Sequence, residues 1–141
     1  MAGFNITRRM AGGERGYLDK FLIIGVGGFL GANVRYVVGG WAAEKWGGGF
    51  PFGTLLINVS GSFILGAFMA IITSRLALDP RWRLFFAVGF LGAYTTFSTY
   101  TFETIQLVLA GSWWPAVLNL LASNVLGLGA ALLGVALARN L

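Results

Sequence analysis

The chain has 141 residues, of which 57% are hydrophobic and 11% charged, well below the roughly 25% charge of ordinary soluble domains. With no cysteine and no histidine, disulfide frameworks are excluded and the usual zinc, general-base and triad chemistries lose their commonest residue, so no enzyme is expected. The net charge of +5 does not point to nucleic acid, because the basic residues sit in short stretches between apolar runs; lipid headgroups fit them better.

Residues 1–17 read as a flexible polar tail, and 18–141 as a single membrane domain. Arg8-Arg9 ahead of an apolar stretch does not make a cleavable leader, since Glu14, Arg15, Asp19 and Lys20 intervene and the run is long enough to span. A bilayer core takes about 20 apolar residues of helix. Four runs meet that requirement and predict an all-α integral membrane protein with four transmembrane helices. The first covers 21–40 with Arg35 as its only charge, and the second covers 54–74 with none. A third over 84–109 carries only Glu103, and a fourth over 113–138 carries no charge. Between them lie a Gly/Trp/Pro loop over 41–53, a basic loop over 75–83 and a minimal turn at Gly111-Ser112. All five tryptophans fall at run ends, where indole favours the headgroup zone.

Four spans put both termini on one side. Arg8, Arg9, Arg15, Lys20, Arg75, Arg81, Arg83 and Arg139 then share that side while Lys45 lies opposite, which predicts cytoplasmic termini.

Polar residues inside the runs need partners, so clusters on one helical face are functional candidates. Asn58, Ser62 and Gly66 recur every four residues on the second span, and Asn119, Ser123 and Gly127 do so on the fourth, with Asn124 adjacent. Either set can be a small-residue packing seam or a polar lining. The third span is the most informative. Five serines and threonines follow Gly92 within ten residues, and that crowding disfavours an unbroken helix and predicts a break in mid-membrane. Carbonyls freed there must bond protein, water or a cation, since lipid offers no donors. Neutral donors from Asn, Ser and Thr, with the positive edges of Phe97 and Tyr100, suit a small anion that must bind and still leave.

At these residues the chain resembles the Fluc (CrcB-type) fluoride channels. The motifs are Gly28-x-x-Gly31-Ala32-x-x-Arg35-Tyr36, Gly53-Thr54-x-x-x-Asn58-x-x-Gly61-Ser62-Phe63-x-x-Gly66, and Thr95-Thr96-Phe97-Ser98-Thr99-Tyr100-x-x-Glu103. The resemblance implies a passive fluoride-selective channel of the bacterial inner membrane. It further implies an antiparallel dual-topology homodimer, or a subunit paired with an inverted partner, with two pores and a central structural sodium ion. By that likeness Asn58, Phe97, Tyr100, Thr99, Ser123 and Glu103 lie on the fluoride pathway, Arg35 lies in the vestibule, and Gly92 and Thr95 offer carbonyls to sodium. Tyr100 departs from the usual second phenylalanine, and Gly127 stands where the fourth-span track would have a hydroxyl.

Two other readings compete. A small dual-topology proton-coupled multidrug exporter has this size and hydropathy but wants a carboxylate on the first span, where only Arg35 is charged. A structural membrane subunit needs only small-residue seams and leaves the hydroxyl and aromatic run of the third span unexplained.

Overall fold

A computed structural model describes the backbone of residues 6–74 and 78–140, with side chains for 16–73 and 78–140. Most of the tail expected over 1–17 lies outside the residues described with side chains. The fold is all-helical: α1 (Ile6–Trp46), α2 (Phe52–Ser74), α3 (Pro80–Trp82), the π-helical segment π1 (Arg83–Leu91), α4 (Gly92–Tyr94), α5 (Phe97–Leu109) and α6 (Trp113–Asn140). Among the described residues, three helices are long and apolar enough to cross a membrane, over Gly16–Trp46, Phe52–Thr73 and Trp113–Asn140. The fourth expected span is the bent series from α3 to α5. The protein is a multi-pass membrane protein.

The first loop is shorter than the sequence suggests. Trp41 and Trp46 remain helical, their rings meeting edge-on at 5.1 Å with the Lys45 ammonium over both. The helix stops one residue later at Gly47, whose φ of 71° an L side chain resists. The turn at Gly111-Ser112 forms as expected, with Gly111 at φ 72° and its amide donating to the Val108 carbonyl. Asp79 starts α3 by accepting from the Arg81 amide, ahead of Pro80.

Membrane helices associate through close packing rather than through a hydrophobic drive, so small residues decide which faces meet. A Cβ on Gly66 would run into the Ala131 carbonyl of α6, and one on Gly134 would run into the Phe63 carbonyl of α2. Each helix thus offers a glycine to the other's backbone, and α2 with α6 is the most extensive contact among the described elements. On the other side, Gly27 and Gly31 of α1 meet the Phe85 and Phe90 carbonyls of π1, and Gly89 returns the approach to Ile24. Gly66→Ala or Gly134→Ala should therefore cost about 1–3 kcal/mol through overpacking. Gly40→Ala, with nothing within 4 Å of its Cβ, should instead be neutral or stabilise by up to about 1 kcal/mol. Thermal melts in detergent check the contrast, and equal melting of all three variants would contradict it.

The nine residues of π1 exceed the single turn in which π geometry usually occurs. Phe86, Phe90 and Tyr94 stack along π1 and α4 at 5.5 and 6.1 Å between centroids, and Phe68 of α2 closes on Phe86 at 4.8 Å. Ile57, Leu91 and Tyr94 form the buried cluster beneath. This packing carries the third span as far as Tyr94, whose hydroxyl meets Ser60 Oγ at 2.9 Å.

Candidate functional site

The third span breaks at Thr95 and Thr96, both extended, with φ, ψ of −80°, 158° and −152°, 118°. Gly92 itself is helical, so the break falls three residues beyond it. Threonine suits extended backbone because its branched Cβ disfavours the helix. Asn58 then holds the opened backbone: Thr96 N–H donates to Asn58 Oδ1 at 2.8 Å, and Asn58 Nδ2 donates to the Thr96 carbonyl at 3.0 Å. Below the break Thr96 becomes the cap of α5, its hydroxyl accepting from the Thr99 amide.

The break lets one span change partners. Above it π1 and α4 pack on α1; below it α5 packs on α6. Along that second contact Asn119, fully buried, donates to Thr104 Oγ1 at 2.8 Å, and Thr104 donates to the Tyr100 carbonyl at 2.8 Å. Ser123 reaches Asn119 Oδ1 at 3.4 Å, and Asn124 donates to Tyr100 Oη at 3.0 Å.

Two cavities flank the break. The first, about 310 Å³, brings together Asn58, Phe97, Tyr100 and Ser123 with Gly92 and Thr95, and adds Ser62 and Asn124. No charged side chain lines it among the described residues. Phe97 presents its ring at 77% exposure, 5.7 Å from the buried Tyr100 ring and tilted by 54°. The second cavity, about 430 Å³, gathers Arg35, Thr54, Thr99 and Glu103, and Thr96 borders both. Thr99 and Glu103 thus lie on a different face of α5 from Phe97 and Tyr100, and share the second cavity with Arg35 of α1. Glu103 Oε1 accepts from Thr54 Oγ1 at 2.9 Å, while Oε2 is buried with no hydrogen-bond partner among the described residues.

Three participants were not singled out from the sequence as site residues. Thr54 stood in the Gly53-Thr54 motif, Ser62 belonged to the second-span face, and Asn124 was noted only as a neighbour of Ser123. Gly66 and Ser62, alike in register, have parted roles: Gly66 is seam and Ser62 lines the groove.

The family model described as CrcB-like protein, Camphor Resistance (CrcB), matches residues 22–135. A protein of Sulfurihydrogenibium sp. (strain YO3AOP1) named fluoride-specific ion channel FluC is 47% identical over 124 residues, which cover 88% of this chain and 100% of that one. Relatives of the same name come from Roseiflexus sp. (strain RS-1), 47% identical over 86% of this chain and 98% of theirs, and from Koribacter versatilis (strain Ellin345), 45% identical over 88% and 98%. A helical membrane fold with a broken third span, matched along most of its length in this way, is sufficient to assign it: the chain belongs to the CrcB/FluC family of fluoride-specific ion channels.

Proposed function

We propose that the chain forms a passive fluoride-selective channel in the bacterial plasma membrane, built from two antiparallel copies, or from one copy and an inverted partner, with two pores. One observation carries the reading: a groove at the break of a membrane span is lined by neutral donors and aromatic rings, with no charged side chain among the described residues. Taking a small anion out of water costs on the order of tens of kcal/mol unless donors replace the hydration shell. Asn58 keeps one N–H beyond the one it gives to Thr96, and Ser62, Ser123, Tyr100 and the edge of Phe97 complete a set of weak donors. Because each is neutral, the anion binds without being trapped. Thr99 and Glu103, on another face of α5, continue the pathway through the second cavity, with Arg35 drawing anions toward that mouth. The Glu103 carboxylate, tied by Thr54 on one oxygen, keeps its other oxygen buried in this same cavity wall.

A structural sodium ion fits the break. In an unbroken helix the Gly92 carbonyl would accept from the Thr96 amide, and the Thr95 carbonyl from the Thr99 amide. Here Asn58 Oδ1 takes the first amide and Thr96 Oγ1 takes the second. Gly92 and Thr95 thus retain carbonyl oxygens of the hard kind an alkali cation prefers, and Gly92 is exposed, open to a second copy. Sodium held there would join the two breaks.

Purified protein in liposomes should dissipate a fluoride gradient when valinomycin and potassium balance the charge, while an equal chloride gradient persists. Fluoride retention, or chloride efflux at a comparable rate, would overturn the reading.

A further inference from the structure

The hydrogen bonds around Tyr100 determine which way its hydroxyl works. Asn124 Nδ2 lies 2.7 Å from the Leu120 carbonyl oxygen. A carbonyl only accepts, so the Asn124 atom at that position is its amino nitrogen. That same nitrogen lies 3.0 Å from Tyr100 Oη. With one hydrogen on Leu120 and the other on Tyr100, the amide nitrogen acts only as a donor at this contact, and the phenol oxygen is the acceptor. The phenol's own proton therefore points away from Asn124, and among the described residues no acceptor takes it. Tyr100 is 7% exposed, and both residues line the uncharged groove.

We infer that Tyr100, held by Asn124, gives an O–H donor to the anion in the groove, so that this position works through its hydroxyl rather than through its ring edge. The inference rests on the fluoride reading above. A hydroxyl that already accepts a hydrogen bond is polarised and donates more strongly. Donation to an anion is shorter and stronger than donation to a neutral acceptor. Asn124 is a positioning residue: it fixes the rotation of the phenol proton and, both its hydrogens being spent, adds no donor of its own to the ion.

Four proteins in the liposome flux assay test this: wild type, Tyr100→Phe, Asn124→Ala and the double variant, each first shown to elute and melt as wild type does. Tyr100→Phe should lower fluoride flux about tenfold, the loss of one hydrogen bond to a charged group. Asn124→Ala should lower it about threefold, since the phenol keeps its proton and loses only its orientation. In the Tyr100→Phe background Asn124→Ala should have no further effect, an outcome that a merely structural role for Asn124 would not give. Flux in Tyr100→Phe at or above the wild-type level overturns the hydroxyl donor. Equal losses from Asn124→Ala in both backgrounds overturn the positioning role. A wild-type protein that releases no fluoride overturns the channel reading itself, which separates the two failures.

Discussion

Fluoride flux through a Phe97→Ile protein is expected to fall by more than about a hundredfold, to the leak of empty liposomes, with the fold intact. Phe97 is the first residue of α5, so its position is set by the break and by the Thr96 cap. The ring is 77% exposed and contributes little to packing within the subunit, and substitutions at such sites usually move stability by no more than about 0.5 kcal/mol. Isoleucine keeps apolar bulk at the position but has no positive ring edge, so an anion in the groove loses a donor that nothing nearby replaces. Two identical copies would carry the defect in both pores. The flux assay with a parallel melt decides the matter: residual flux above a tenth of wild type would remove Phe97 from the path.

The largest effect on stability is expected from Asn58→Leu. Leucine matches asparagine in shape but cannot bond, so the Thr96 amide and carbonyl both lose partners inside the membrane. At about 1–3 kcal/mol for each unsatisfied group the cost is about 2–6 kcal/mol. Asn58→Asp keeps an acceptor for the Thr96 amide. At a pH that protonates the acid its O–H can donate to the Thr96 carbonyl, and stability should approach wild type. The ionised form instead turns a bare oxygen toward that carbonyl and should fall toward leucine. Melting in detergent measures the order. An Asn58→Leu protein as stable as wild type would mean that the break is held without Asn58, and the account of the Gly92 carbonyl would fail with it.

Much of this was legible in the chain. The second and fourth spans stand within two residues of their expected bounds because an uncharged apolar run has one solution in a bilayer. The first span was underestimated at its end, since Gly39, Gly40 and Trp41 look like loop residues although, of the glycines from 39 to 49, only Gly47 has the positive φ that stops the helix. Crowded threonines announced a break. Its register, three residues past Gly92, depends on Asn58 bonding a backbone 38 positions away, and one-dimensional spacing carries no trace of that pairing. The π-helical geometry of π1 is likewise a product of packing, not of composition. Among the site residues, the sequence grouped Glu103 and Thr99 with Phe97 because they share a helix, whereas they lie on another face of α5 and line the second cavity. The Tyr100–Asn124 bond depends on an antiparallel hairpin around Gly111, and only the folded register shows which two polar groups meet.

The reciprocal glycine contacts between α2 and α6 also constrain how the protein is made. These two helices run in the same direction, as the successive approaches of Ser62 to Gly127 and Gly66 to Ala131 show, with the whole third span between them in the chain. During synthesis α2 reaches the bilayer long before α6 exists, and until then its Ser62 and Gly66 face is without the neighbour it fits. Helix insertion and helix docking are therefore separate events, and the seam beside the groove closes only when the last helix has left the ribosome.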